Sequence, residues 1–204
     1  MPLGDSITYG EGSSNGGGYR WPLWKALNAQ GARVTFVGSM RTGPLLGFVR
    51  NNQGMPGWTI RQLSAHVVDW LKTYQPQIIL LQIGTNDFVK HDDPAHAPQR
   101  LRGLLDQITV TAPAASVIVA QITPLNRGAQ LSAEVLTYNA AIPAIVAEEA
   151  ALGRHVQMVD MYHAVSPSLL VDGIHPDDQA YLRMAQVWEQ ALLPLLKLKT
   201  DQDS

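Results

Sequence analysis

The sequence predicts an α/β fold of three layers, doubly wound about a five-stranded parallel sheet, and three observations predict it. Short apolar runs of strand length alternate with longer segments of helical period along the chain. The clearest run, Ile78-Ile79-Leu80-Leu81, is apolar at every position, as strands covered on both faces are. Finally, 204 residues of which 46% are hydrophobic suit one core, since division into separate cores becomes usual only above roughly 250 residues.

The elements follow in order. Met1 to Gly4 is a short first strand, and the glycine-rich Gly10 to Gly18 forms a loop beside its end. Pro22 falls where a first helical turn tolerates proline, and that helix runs to about Gln30. Arg33 to Gly38 alternates apolar and polar residues as a second strand does, and Ser39 to Met55 reads as a long irregular segment. Long loops in compact domains are usually functional or mobile. Thr59 and Gln62 are spaced as a capping box, so a helix is expected from just after Gly57 to about Tyr74. Gln77 to Ile83, between Pro76 and Gly84, is the third strand. Ala97 to Ala112 is a helix and Ser116 to Ile122 the fourth strand. Ser132 to Leu152 is a long helix that Pro143 is expected to kink or offset. Val156 to Val159 is the fifth strand, a loop from Asp160 to Asp172 leads to His175, and the last helix, Asp178 to Leu196, carries Met184, Val187, Trp188, Ala191 and Leu195 on one stripe. One domain over residues 1–196 and a polar tail over 197–204 result, with no repeat or linker.

Five parallel strands most simply take the flavodoxin-like order 2-1-3-4-5, whose switch point lies between strands one and three. Ser6 ends the first of these and Asn86 follows the other. That topology brings them to one crevice, and His175, after strand five, reaches the same edge on its loop.

Composition narrows the function. The formal charge is −2, with no basic block and no repeated aromatic stack, which argues against a nucleic-acid groove. Small neutral or weakly charged substrates fit better. The absence of cysteine excludes a disulfide framework and a thiol nucleophile and assigns no compartment. No apolar run approaches the ~18 residues of a membrane span, and Met1 to Gly4 lacks the charged and apolar regions of a signal peptide. The chain reads as soluble, of unassigned localisation and oligomeric state.

Four stretches carry chemistry: Gly4-Asp5-Ser6-Ile7-Thr8, Gly54-Met55-Pro56-Gly57-Trp58-Thr59-Ile60, Gly84-Thr85-Asn86-Asp87 and Asp172-Gly173-Ile174-His175-Pro176. A serine hydroxyl is a poor nucleophile at neutral pH and needs a base, for which histidine has the suitable pKa. Of six histidines only His175 has an aspartate, Asp172, three positions earlier across a glycine, a spacing that lets the carboxylate turn back onto the ring. A turn capping the last helix explains the same residues structurally. The segment around Ser6 lacks the Gly-x-Ser-x-Gly elbow, having Thr8 where the second glycine belongs. His91, Asp92, Asp93 and His96 lack a recognised metal-ligand spacing and read as a solvated loop.

In type, order and spacing the four stretches resemble the SGNH hydrolases, also called the GDSL family, with the naming letters on Ser6, Gly57, Asn86 and His175. The longer words Met1-Pro2-Leu3-Gly4-Asp5-Ser6-Ile7-Thr8-Tyr9-Gly10-Glu11-Gly12 and Gly54 to Ile60 resemble the branch of acetyl xylan esterases in carbohydrate esterase family 3, and the likeness runs from Met1 to about Leu196. The resemblance implies a serine esterase working through an acyl-enzyme. Ser6 is its nucleophile, His175 its base and Asp172 the group that orients the ring. The backbone N–H groups of Ser6 and Gly57 and the Asn86 amide form its oxyanion hole. No metal or organic cofactor is implied. Asp5 and Asp87 are expected to tie down the loops presenting Ser6 and Asn86, and Tyr9 and Trp58 are candidates for stacking on a sugar ring.

The expected substrate is a short acyl ester, acetyl first, of a carbohydrate such as acetylated xylan, in an open site without a lid. A broad carboxylesterase, lysophospholipase or thioesterase is the alternative enzyme, an acyltransferase would use the same residues, and a non-catalytic carbohydrate-binding protein is the alternative class. Relatives of this branch carry more residues of first strand, and secreted ones a signal peptide, so this chain reads as trimmed at its start.

Overall fold

The computed structural model describes the backbone of residues 1–200 and the side chains of residues 1–196; the end of the expected tail, 201–204, lies outside the described residues. Six strands form one sheet: β1 (Pro2–Gly4), β2 (Met40–Arg41), β3 (Asn51–Gly54), β4 (Ile78–Gln82), β5 (Ser116–Ala120) and β6 (Val156–Val159). Their order is β2-β3-β1-β4-β5-β6. All neighbours are parallel except β2 and β3.

The helices are α1 (Ser6–Tyr9), α2 (Arg20–Ala29), α3 (Ile60–Ser64), α4 (Val67–Tyr74), α5 (Thr85–Val89), α6 (Ala97–Thr111), α7 (Ala129–Ala151) and α8 (Asp178–Thr200). Because successive strand residues point to opposite faces, β4 sends Ile79 and Leu81 into a core shared with α3, α4, α6 and α7, and Leu80 into a second core shared with α2 and α8. Both faces are therefore covered, which makes the three layers.

The α/β class stands as predicted, but the five-strand all-parallel sheet needs correction. Arg33 to Gly38 pairs with nothing in the sheet, and the strand beside β1 is instead Asn51–Gly54 from the stretch read as irregular. The sheet then gains a sixth, antiparallel strand at its edge. The alternation of Arg33 to Val37 reflects packing: Phe36 is buried in the core that holds Leu80 and Val34 lies against it, and the segment lines a cavity of about 660 Å³ together with Ile78 and Leu80. β3 is polar, so no apolar run marks it, and its side chains bond the Ser39–Thr42 segment as well as its own backbone. Asn52 Nδ2 donates to Thr42 Oγ1 at 3.1 Å, Asn52 Oδ1 accepts from the Gly54 N–H at 2.9 Å, and Gln53 Oε1 accepts from the Ser39 N–H at 2.9 Å.

Two further differences are local. The helix expected from Gly57 to Tyr74 is broken at Ala65–His66 into α3 and α4; the capping box at its start is present, with the Thr59 N–H donating to Gln62 Oε1 at 2.9 Å. Pro143 does not interrupt α7, which runs unbroken over Ala129–Ala151. Proline lacks the N–H that would reach the carbonyl four residues back. That carbonyl, on Asn139, accepts from Gln121 Nε2 at 3.2 Å instead, while the Asn139 side chain bonds both the N–H and the carbonyl of Ile122 at 2.9 Å. The proline thus falls where α7 is tied to the end of β5.

Candidate active site

Three strands deliver the site residues to one edge. Gly4 stands opposite Gly54 on one side and Gln82 on the other, so Ser6, Gly57 and Asn86, each two to four residues beyond those positions, leave adjacent strands at their carboxyl ends. The approach is tight. A Cβ at Gly4 would lie 2.1 Å from the Gln82 carbonyl oxygen, and one at Gly54 would lie 2.3 Å from the Tyr9 nitrogen.

Ser6 opens α1, with Asp5 as its cap: Asp5 Oδ1 accepts from the Ile7 N–H at 3.0 Å. Ser6 Oγ lies 2.8 Å from His175 Nε2, and His175 Nδ1 lies 2.8 Å from Asp172 Oδ2. The other Asp172 oxygen accepts from the backbone N–H groups of His175 at 2.8 Å and Ile174 at 3.0 Å. Partial burial pushes this carboxyl up, but the His175 backbone N–H, the His175 ring and the Ile174 N–H outweigh it and hold it at about 2. A carboxylate so held favours the ring tautomer that carries its proton on Nδ1 and leaves the Nε2 lone pair facing the serine. Gly173 makes the turn at φ 81°, where a side chain would meet the Asn126 carbonyl oxygen at 2.6 Å.

Gly57 also has a left-handed backbone, φ 76°, and its carbonyl accepts from Lys90 Nζ at 2.5 Å. Asn86 sits in α5, and its amide donates one N–H to the Trp58 carbonyl at 3.0 Å, which fixes the amide plane and leaves a second N–H. Asp87 is fully buried and ties the two segments together: one oxygen accepts from the Ile60 N–H at 2.9 Å and the other from Arg100 Nη2 at 2.9 Å. Burial nevertheless pushes its carboxyl up. Burial does the same to Asp5, raised to about 6, whose Oδ2 has no hydrogen-bond partner among the described residues.

The structure therefore brings Ser6, His175 and Asp172 into one hydrogen-bonded line, and Asp5 and Asp87 brace the segments around it. Trp58 reaches the site through its carbonyl, while its ring packs against His66 and Trp70 at centroid distances of 5.1 and 5.8 Å. The Tyr9 carbonyl is held by Arg20 and by Thr42 Oγ1, at 2.9 and 2.7 Å. Among the described residues no three metal-ligating side chains gather, and His96 and Arg100 bond Asp93 to pin the His91–His96 loop to α6.

Three residues at the site had no sequence signal of their own. Glu11 Oε2 lies 3.2 Å from His175 Nε2; only the glycines on either side of it hinted at an unusual loop. Arg127 donates to the Asp172 carbonyl at 3.0 and 3.1 Å. Arg20 is fully buried and donates to the carbonyls of Thr8, Tyr9, Gly16, Thr42 and Arg50 and to Thr42 Oγ1, all uncharged. Burial lowers its pKa to about 10. It fastens the end of α1 to the glycine loop and to the turn between β2 and β3.

The geometry can move a proton from Ser6 Oγ to His175 and stabilise the resulting imidazolium through Asp172. The sequence profile of the GDSL-like lipase/acylhydrolase family matches residues 3–183. A multidomain esterase of Ruminococcus flavefaciens is 30% identical over 97% of this chain, which spans 28% of that protein's length. Among solved structures, a family 3 carbohydrate esterase of Clostridium thermocellum is 32% identical with a TM-score of 0.87, over 97% of this chain and 96% of that one. A carbohydrate esterase family 3 protein of Talaromyces cellulolyticus is 25% identical with a TM-score of 0.83, over 97% of both chains. Among the described residues no helix is long and apolar enough to cross a membrane.

Proposed function

We propose that this chain, a carboxylic ester hydrolase that belongs to the GDSL-like lipase/acylhydrolase family, removes acetyl groups from carbohydrate esters such as acetylated xylan, with residues 1–196 as the catalytic domain. The observation that carries the mechanism is the unbroken line from Ser6 Oγ through His175 to Asp172, 2.8 Å at each step. The carbohydrate substrate is supported by the likeness to family 3 carbohydrate esterases over nearly the whole chain.

His175 Nε2 takes the Ser6 proton as Oγ attacks the ester carbonyl carbon. The carbonyl oxygen becomes an oxyanion, which the Ser6 and Gly57 N–H groups and the free Asn86 N–H stabilise. Collapse breaks the bond to the alcohol oxygen, which takes the proton from Nε2 and leaves, so that Ser6 carries the acyl group. Water, deprotonated by the same nitrogen, then attacks the acyl carbon and releases the acid. Asp172 stays ionised throughout and holds the ring.

The test is an acyl-chain series of nitrophenyl esters, from two carbons to twelve, followed by acetate release from acetylated xylan. Acetate should be preferred, Ser6→Ala should abolish turnover without unfolding the protein, and Asn86→Ala should lower kcat by about 10²–10³. Rising activity on long chains would move the substrate to lipids. Full activity of Ser6→Ala would refute the mechanism, and an inert wild type would favour a binding protein.

A further inference from the structure

Glu11 lies against the working nitrogen of His175, and nothing in the mechanism above uses it. Its position is built into the backbone. The Glu11 N–H donates to the Ser6 carbonyl at 3.0 Å, and the Glu11 carbonyl accepts from the Tyr181 hydroxyl at 2.6 Å. On either side Gly10 and Gly12 have φ of 104° and 86°, in the left-handed region that favours glycine. A Cβ at Gly12 would meet the Pro176 carbonyl oxygen at 2.5 Å and His175 Cβ at 2.9 Å. The loop is thus pressed onto the histidine turn, and residue 11 is presented at the mouth of the site.

The Glu11 side chain is 41% exposed, and its carboxylate touches no partner other than His175 among the described residues. A carboxylate oxygen 3.2 Å from Nε2 gains no hydrogen bond from a neutral ring that carries its proton on Nδ1. It is an acceptor waiting for a donor.

The substrate brings that donor. To receive its proton, the alcohol oxygen must come within hydrogen-bond reach of Nε2, about 3 Å. Glu11 Oε2 and the departing oxygen therefore sit around the same nitrogen as neighbours. In a sugar the hydroxyl on the adjoining carbon lies a hydrogen-bond length from the ester oxygen, which puts it within reach of Glu11. We infer that Glu11 is a specificity-determining residue that accepts a hydrogen bond from the hydroxyl vicinal to the esterified one. The preferred substrates are monoesters of vicinal diols, and a unit acylated on both neighbouring oxygens loses its first acyl group slowly.

The inference rests on the carbohydrate reading, and the experiment separates the two. It compares a monoacetylated methyl xyloside carrying a free neighbouring hydroxyl with the same ester in which that hydroxyl is methylated, using wild type and Glu11→Ala. Each rate is normalised to the same protein's rate on 4-nitrophenyl acetate, which removes any general change in the serine–histidine chemistry. Wild type should prefer the free hydroxyl by about 10- to 100-fold in kcat/KM, as expected of a hydrogen bond to a charged group, and Glu11→Ala, which removes the acceptor, should lose most of that preference. Equal rates of wild type on the two esters overturn the inference and leave the carbohydrate reading standing, as does a preference that survives in Glu11→Ala. Hydrolysis of 4-nitrophenyl acetate with neither sugar ester cleaved overturns both.

Discussion

Asp5 carries a cost that its neighbours do not remove. Burial raises its carboxyl from 3.8 to about 6, against the pull of the Ile7 N–H. The folded chain therefore holds a proton there between about pH 4 and pH 6 that the unfolded chain releases. Since the unfolded state binds fewer protons in that window, stability falls as pH rises through it. Two pH units correspond to an order of 3 kcal/mol. Asp5→Asn keeps the oxygen that caps α1, so its urea midpoint should hold more steadily from pH 4 to pH 7 than that of wild type. Parallel midpoints for the two proteins would show that Asp5 is solvated. Asp172 has the opposite sign: held at about 2, it adds stability above its unfolded value that is lost as pH falls toward 2. Its side chain is 42% exposed, so solvent screening makes that contribution smaller.

At the level of elements, the junction of β1, β3 and β4 depends on two residues without side chains. Gly4→Ala and Gly54→Ala would each drive a methyl group into backbone atoms, at 2.1 Å from Gln82 and 2.3 Å from Tyr9. Overpacking of this kind costs about 1–3 kcal/mol, and here the strands must separate. Either substitution should lower the melting temperature and reduce kcat together, because the strands that separate are those that aim Ser6, Gly57 and Asn86. Normal activity with a lowered melting temperature would uncouple the two. The legible elements were those whose residues announce a period or an apolar run: β4, β5, α6 and α8 follow the sequence closely. β3 did not, since Asn51, Asn52 and Gln53 satisfy their amides on Gly38, Thr42 and Ser39, in bonds that no hydropathy pattern records. α1 and α5, four and five residues long, are too short to show a period. Asp172 and His175 were legible through their three-residue spacing across a glycine, and Ser6, 169 positions from His175, only through the resemblance of the four stretches to a family, whereas Glu11 and Arg127, with contacts 164 and 45 positions away, stand in no motif that the residues alone mark.

Across the whole molecule, helices cover both faces of the sheet and leave the carboxyl ends of its strands open, so residues far apart in sequence share one edge. Arg20 secures that edge from below. Its guanidinium is surrounded by carbonyl oxygens from five residues and has no exposed surface, so a dicarbonyl reagent that forms adducts on arginine can reach it only when this wall comes apart. The exposed Arg33, Arg41 and Arg61 should be labelled within the reagent's ordinary time, and Arg20 at a rate set by opening. Peptide mapping along a labelling time course would read both, and Arg20 labelled as fast as the others would show that the wall is loose. Arg20 is thus an internal clock for the resting protein, counting how often the ground beneath the serine gives way without a single turnover.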